Sequence, residues 1–558
     1  MSHADLTMLL AAVIVVATLV AMASGRVAPL LALVTGLVAA GIAGIATPSE
    51  LASGLSNPGV ITVGAMLVVA RGVVATGVVS RVTWLLLRTA TSAAQVIRRL
   101  LAPIGAASAV MNTTPIVAML IPASRELEQT RGIPARQVLL PVAHATTLAG
   151  SLTLIGTSSN LLIAGIASEA GVEMRMLSFA PVALPVMLVG WVVIYLLAPR
   201  VLRGATAHDE TTRDWRVEIP VVGGALVQGR TAASLGVAHS QEFELAEVQR
   251  WDESLDPGQT IQAGDVLVFE ATEAGVRALW GSPNFGTSPD RLYAVTIRSG
   301  SDTLARDLDD GAVRVVAART DQRLRDTSLA PGALCFVAAR DVGAVRDSAP
   351  IGLWQDAASR VPQPGRTWVA LAILTGVILT ASFGILPIEL SSVAGAVLMV
   401  LTGVLRPGSA ARALDLNVLG ILAGSIGLGV VVVQSGLAGL FADVVRTLSA
   451  GEPVLVVVVF AVATAILTNV TTNSAAASIL TPVALTIAAE MQLDPTIILA
   501  LIGTCISFTF INPFSHQTNL MVMRPGGYTN QLFVRFGTPL ILATVVAAIV
   551  AGGLLVRL

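Results

Sequence analysis

The chain presents apolar runs long enough to cross a bilayer, again and again. Examples are LTMLLAAVIVVATLVAMA (6–23), VITVGAMLVVARGVVATGVV (60–79), PVALPVMLVGWVVIYLLAP (181–199), VALAILTGVILTASFGIL (369–386) and PLILATVVAAIVAGGLLV (539–556). A hydrocarbon core of ~30 Å calls for about 20 such residues in a helix. Of the 558 residues, 54% are hydrophobic and only 12% charged, as expected where most of the surface meets lipid. The membrane part is therefore read as an all-α polytopic fold. The first run lacks a basic start, and the next follows after only Ser24, Gly25 and Arg26, so it reads as a spanning helix rather than a signal peptide.

Between about Arg200 and Arg366 the runs stop. The text becomes charged and alternating, as in WRVEIPVV, DVLVFEAT, RLYAVTIRSG, VRVVAAR and ALCFVAAR, which is the period of short strands. This divides the chain into a membrane repeat over 1–203, an insert over 204–365 and a second membrane repeat over 366–558. The insert reads as a pair of small α/β modules, about 213–282 and 288–350. Cys335 and Cys505 have no metal-ligand spacing, so neither a disulfide framework nor a metal cluster is indicated.

The two membrane stretches resemble each other. SAVMNTTPIVAMLIP (108–122) aligns with TNVTTNSAAASILTP (468–482), ending on Pro122 and Pro482, an offset of 482 − 122 = 360. LIGTSSNLLI (154–163) aligns with PFSHQTNLMV (513–522), Asn160 over Asn519, an offset of 359. Such a repeat at near-constant offset marks a duplication. Each half reads as three spans, a re-entrant hairpin, a helix broken in mid-membrane and a final span. An odd number of crossings inverts the second copy, so the two hairpins enter from opposite faces. Basic residues concentrate in short cytoplasmic loops. With both termini outside, Arg26, Arg81, Arg98, Arg99, Arg125, Arg131, Arg136, Arg200, Arg203, Arg406, Arg412, Arg524 and Arg535 fall inside, against Arg175, Arg446 and Arg557 outside. The insert then lies in the cytoplasm, beside an inner or plasma membrane. Arg71 falls within a span but near its inner end, where its head can snorkel to water.

Polar residues gather at the hairpin tips (MNTTP, TTNSA) and at the helix breaks (GTSSN, NPFSHQTN). Backbone cannot turn in hydrocarbon unless its N–H and C=O groups are bonded or face a water-filled cavity. Asn, Thr and Ser stop one helix and cap the next. The half-helix N-termini so created suit an anion, and the freed carbonyls with hydroxyl and amide oxygens suit Na⁺. The alternative is local: each hydroxyl bonds back to its own helix and each amide joins neighbouring helices. Neither tip and neither break holds Asp or Glu, which disfavours a carboxylate proton relay and points to Na⁺ as the coupling ion. His144 and His516 keep protons possible, and His144, in a helix interior, reads as a hydrogen-bonded packing residue. His516, inside a break, is open between substrate contact and cap.

These tips and breaks resemble the divalent-anion/sodium symporters of the ion-transporter superfamily, whose tips carry Ser-Asn-Thr and whose breaks carry G-T-x-x-N-L. The resemblance implies sodium-coupled uptake of a small divalent anion, dicarboxylate or sulfate, by a homodimer with an elevator-like motion, and no enzymatic chemistry. Carried onto this chain, it implies substrate contacts from Asn112, Thr113, Thr114, Thr157, Ser158, Asn160, Asn473, Ser474, His516, Gln517, Thr518 and Asn519. It implies sodium ligands from Ser108, Asn112, Thr113, Gly156, Thr468, Thr472, Asn473 and Ser515. The first tip departs from the pattern, with Thr113 where the family has Asn. In the insert, GGALVQGRTAASLG (223–236) and QAGDVLVFEAT (262–272) resemble the C-terminal lobes of regulators of potassium conductance (TrkA-C type). That resemblance implies either a small regulatory ligand or a support for the dimer. No G-x-G-x-x-G follows a strand, so the nucleotide-binding lobe of those regulators is absent, and nothing in the text suggests a nucleic-acid partner. A cation/proton antiporter of the same superfamily would need membrane-embedded acids, and a regulated potassium channel a T-V-G-Y-G filter.

Overall fold

A computed structural model of the chain describes residues 3–23, 27–87, 89–111, 113–202, 213–235, 238, 240, 242–251, 253–280, 282–285, 290–297, 303–309, 312–330, 333–348, 350–356, 366–523 and 525–557. Arg26, Arg203 and Arg524 of the topology argument lie outside these residues. The chain forms two compact units: Met1–Thr206 with Pro362–Leu558, and Ala207–Val361.

The first unit is helical. Asp5–Met22, Pro58–Ala75, Ala180–Val201, Leu416–Gln434, Pro453–Val470 and Asn530–Val556 are long and apolar enough to cross a membrane. Pro29–Ile42, Thr367–Ser382, Ile388–Leu401 and Pro495–Ile506 are shorter apolar helices. Elements recur in the same order in both stretches: helices begin at Pro58 and Leu416, Val78 and Leu437, Ala93 and Pro453, and Thr113 and Asn473. One hydrophobic cluster runs through both halves, from Val63 and Val69 to Phe536 and Leu540. Glycines let backbones touch across it. A Cβ on Gly54 would fall 2.2 Å from the Ala423 carbonyl, and one on Gly537 2.2 Å from that of Phe510.

Two hairpins interrupt this pattern. Ala93–Val110 is followed by Thr113–Arg131, and Pro453–Val470 by Asn473–Glu490, with two residues at each tip. The arms are longer than the short re-entrant segments expected from sequence, at 18 or 19 residues. At 1.5 Å per residue that is about 27 Å, close to the full core thickness. In the first hairpin Arg98 and Arg99 lie near the start of the first arm and Arg131 at the end of the second, where it reaches the Ala90 carbonyl, so the base of the hairpin carries the basic residues and belongs at the interface. Two helices are broken: Leu139–Gly150 resumes as Ser158–Glu169, and Pro495–Ile506 resumes, after the 3₁₀ turn Pro513–Ser515, as Gln517–Met523. The halves are tied near the first broken helix by Tyr528, whose hydroxyl donates to the Arg136 carbonyl (2.6 Å) and accepts from the Leu140 N–H (2.9 Å).

The second unit is built on one antiparallel sheet. Its strands are β1 (Trp215–Pro220), β2 (Phe243–Arg250), β3 (Glu253–Leu255), β4 (Val266–Ala271), β5 (Arg291–Ile297), β6 (Thr303–Leu304), β7 (Val313–Ala318), β8 (Ser328–Leu329), β9 (Leu334–Ala339) and β10 (Ile351–Asp356). The order is β10-β5-β9-β7-β1-β4-β2-β3, with β6 and β8 paired apart. Each half places its strands first–third–second, β1-β4-β2 and β5-β9-β7. The halves merge where Arg216 and Val217 pair with Ala318 and Ala317. Trp215 packs edge-on to Phe336 across that seam, ring centroids 5.0 Å apart. Strands β2 and β10, which are not among the alternating segments quoted from the sequence, carry register shifts between Leu245 and Glu247 and between Ile351 and Leu353, as β7 does between Val315 and Ala317.

Asp265 anchors the first half of the sheet. Its carboxylate is almost fully buried, takes two bonds from the Arg250 guanidinium (2.8 and 2.7 Å) and one from the Gln262 N–H (2.7 Å). The Arg250 hydrogen bonds hold its carboxyl below the usual range, partly opposed by burial. A depressed folded value stabilises the fold above the unfolded value, and that gain is lost as pH falls through the folded one. Asp265→Asn should therefore weaken hydrogen-exchange protection of β2 and β4 by about 1–3 kcal/mol at neutral pH. In a thermal-unfolding series at falling pH, the gap from wild type should close as Asp265 itself becomes neutral.

Candidate ion and substrate site

The site grows from four discontinuities. At the first tip Ser108, in the last turns of Ala93–Val110, is fully buried and donates to the Thr146 carbonyl at 2.7 Å. At the second tip Thr468, in the same place on Pro453–Val470, donates to the Ile506 carbonyl at 2.7 Å. Each hydroxyl thus grips the broken helix of its own half, and 468 − 108 and 506 − 146 both equal 360. Close backbone packing makes the grip tight. A Cβ on Gly156 would fall 2.3 Å from the Gly150 carbonyl and 2.8 Å from that of Ser108, and one on Gly150 would lie 3.2 Å from the Thr113 methyl. Ser108, Thr113 and Gly156, all among the expected sodium ligands, are therefore brought together.

The second tip gathers oxygens. Thr468 Oγ1 lies 3.0 Å from Asn473 Oδ1 and 2.7 Å from the Ile506 carbonyl, three oxygens with one hydroxyl hydrogen among them. Such a set is short of donors and suits a hard cation of sodium's kind. Thr472 caps the second arm, accepting from the Ala475 N–H at 3.3 Å, and Ser474 follows in its first turn, half-buried. Ser515 donates to the Asn512 carbonyl at 2.7 Å.

The halves meet tip to break. Thr114 Oγ1 reaches Gln517 Oε1 at 3.5 Å, so the first tip touches the second break. The arm Thr113–Arg131 packs on Gln517–Met523, and Asn473–Glu490 packs on Ser158–Glu169. Thr157 caps the latter helix, accepting from the Ser159 N–H at 3.4 Å. Ser158 borders an otherwise apolar crevice between Pro58–Ala75 and the first tip, with Met66, Met111 and Ile155. His516 Nδ1 accepts from the Thr518 N–H at 3.2 Å and lies 2.6 Å from its hydroxyl. In the neutral ring this places the proton on Nε2, which makes that nitrogen a hydrogen-bond donor.

Asn160 and Asn519, expected to contact substrate, are both fully buried; their amide hydrogens brace their own breaks, while the Oδ1 of each has no hydrogen-bond partner among the described residues. Asn160 Nδ2 donates to the Ser151 and Thr153 carbonyls (3.1 and 2.9 Å), and Asn519 Nδ2 to those of Thr509 and Asn512 (2.6 and 3.4 Å). The reason is geometric: a break in a buried helix frees carbonyls on its inner side, and an amide one turn on is the nearest donor. Asn112 lies outside the described residues. His144 packs as expected but is not hydrogen-bonded: it is buried among Phe510, Phe533 and Phe536, ring centroids 5.0 to 6.2 Å away, and neither ring nitrogen has a partner among the described residues. Thr153, Asn469 and Asn512 join the network unannounced by the tip motif. Their signal was position, each lying within a few residues of a tip or break.

Residues 6–503 match the family model for citrate transporters, CitMHS. An uncharacterized transporter of Synechocystis is 28% identical over 549 residues, 89% of each chain. Sodium/sulfate cotransporter 1 of Chlamydomonas reinhardtii is 25% identical over 234 residues, 40% of this chain and 26% of that protein. Among solved structures, the Alcanivorax borkumensis YdaH transporter aligns over 99% of this chain and 98% of its own, at 15% identity and a TM-score of 0.46.

Gly156→Ala tests the grip directly. Its methyl has no flexible neighbour to displace, only two carbonyls, so the tip and break must separate. Overpacking of this kind costs ~1–3 kcal/mol. The variant should melt earlier in detergent than wild type, while Gly439→Ala, which meets nothing within 4 Å, should not.

Proposed function

The chain belongs to the citrate transporter (CitMHS) family, and we propose that within it the protein is a sodium-coupled importer of a small divalent anion, a carboxylate or sulfate. It is a multi-pass membrane transporter and not an enzyme. The observation that carries the finer reading is the donor-poor oxygen cluster of Thr468, Asn473 and Ile506 beside a helix N-terminus. Such a pair of neighbours suits a cation and an anion at once. The sodium/sulfate cotransporters among the relatives support the same choice of ion.

In this reading Ser108, Thr113 and Gly156 hold one sodium, and Thr468, Thr472 and Asn473 another, with Asn112 and Ser515 completing the sets. The anion lies between them, against Thr114, Ser158, Ser474 and Gln517. Helices beginning at Thr113, Ser158 and Asn473 contribute the partial positive charge of their N-termini to it. The His516 Nε2–H adds a donor that holds no fixed charge, and Thr518 fixes its tautomer. With no Lys or Arg at either tip or break, sodium supplies the compensating positive charge, which is the physical basis of coupling.

Access alternates as the two hairpins and broken helices move as a body against the remaining spans, in the elevator manner, with inverted halves providing the two equivalent ends of travel. The insert is cytoplasmic, a TrkA-C-like pair that either binds a small regulatory ligand or supports a homodimer in the inner membrane.

Uptake into proteoliposomes checks this reading. With labelled sulfate or citrate inside-negative and sodium outside, accumulation should occur, and collapse of the sodium gradient should abolish it; undiminished accumulation rejects coupling. Asn473→Ala should lose most transport, at least tenfold in rate, while eluting and melting like wild type, since a charge-assisted contact is worth ~1.5–3 kcal/mol.

A further inference from the structure

Two side chains outside the expected ligand sets do the same double duty in each half. Thr153 Oγ1 donates to the Ala109 carbonyl, next to Ser108 in the first tip, and accepts from the Gly156 N–H at 3.1 Å. Asn512 Nδ2 donates to the Asn469 carbonyl, next to Thr468 in the second tip, at 3.1 Å, and its Oδ1 accepts from the Phe514 N–H at 3.0 Å. The residues correspond at offsets of 512 − 153 = 359 and 469 − 109 = 360. Their carbonyls are in turn held by Asn160 and Asn519 at 2.9 and 3.4 Å. One half uses a hydroxyl and the other an amide, and both groups offer the donor and the acceptor that the job requires.

We propose that Thr153 and Asn512 are the positioning residues that couple ion binding at each tip to substrate binding at the adjoining break. The inference rests on the sodium-coupled reading above and specifies its linkage. Asn512 spans the distance from the tip backbone beside the Thr468–Asn473 oxygen cluster to the turn that leads into His516 and Gln517. Drawing the tip oxygens together around a cation moves the Asn469 carbonyl, and the amide carries that movement into the 3₁₀ turn Pro513–Ser515. In the second half a further strut, Asn469 Nδ2 to the Phe508 carbonyl at 2.8 Å, keeps tip and broken helix from sliding past each other, so the displacement passes to the turn. Thr153 acts likewise on Gly156 and, through it, on the cap at Thr157. Neither residue touches ion or substrate; their effect is on the free energy shared between the two sites.

The test is the sodium dependence of anion affinity, measured on the full chain in nanodiscs with labelled sulfate and citrate as probes, at saturating sodium and with sodium replaced by choline. Wild type should show a ratio of affinities of about 5–150-fold, the usual range of site–site coupling. Asn512→Ala and Thr153→Val should each lower that ratio severalfold, and the double variant lower it further, while affinity in choline stays within about twofold of wild type, an outcome a purely structural role would not give. Asn512→Thr, borrowing the residue of the other half, and Thr153→Ser should restore the ratio, which keeps the test decisive if an alanine or valine variant folds poorly. A coupled wild type with an equally coupled Asn512→Ala and Thr153→Val overturns the positioning role and leaves the transporter reading standing. A wild type that binds both probes equally with and without sodium overturns the reading itself, and this inference with it.

Discussion

Lipid offers no partner to a bare N–H or C=O, and that single restriction shapes the membrane unit. A continuous helix meets it trivially. A helix that stops halfway does not, and every place where this chain stops one is furnished with side chains that complete the bonding. Thr157 and Thr472 cap the helices that resume, Asn160 and Asn519 return to the carbonyls left behind, and Ser108 and Thr468 cross from tip to broken helix. The polar residues that look extravagant in an apolar sequence are the minimum needed for backbone to turn there. Once in place, they leave oxygens and helix N-termini facing one another, which is the chemistry of an ion and anion site.

The two halves solve the same problem with different residues. The second tip has Asn473 to add its amide oxygen to the Thr468 cluster, whereas the first has Thr113, whose methyl is packed 3.2 Å from where a Gly150 side chain would begin. A shorter side chain with one oxygen stands where the second tip has an amide, so the oxygen clusters of the two tips differ in kind. The breaks differ too: seven residues separate Gly150 from Ser158, and the longer second break holds a 3₁₀ turn with the imidazole of His516.

Much of this was readable before any coordinates. The spans, the tips and the breaks followed from apolar run length and from where Asn, Thr, Ser, Gly and Pro interrupt it, since those signals are local. Ser108, Thr113, Gly156, Thr468 and Asn473 stood out because the repeat aligned them. The bracing role of Asn160 and Asn519 did not, because a sequence shows that an amide is near a break but not which way it faces. Thr153 and Asn512 were silent for the same reason: their partners, Ala109 and Asn469, lie 44 and 43 residues away and contribute only a carbonyl, which every residue has. In the insert, β2 and β10 are not among the alternating segments that the sequence offered as strands. The merging of two modules into one sheet rests on a two-residue pairing that leaves no compositional trace.

The central claim is that the first tip and the second break, from opposite halves, face each other across one site, and the Thr114–Gln517 approach of 3.5 Å is its most direct expression. Thr114→Cys with Gln517→Cys puts one thiol on each of two helices that pack together, within reach of a short bifunctional thiol reagent, and the native thiols, Cys335 and Cys505, are both buried and need not compete. Treatment of the full-length double variant in membranes with that reagent, followed by mass spectrometry, should give the bridged peptide, and sodium with sulfate or citrate should slow its formation by filling the gap. Absence of the bridge, with both thiols demonstrably reactive toward a small alkylating reagent, would contradict a shared site.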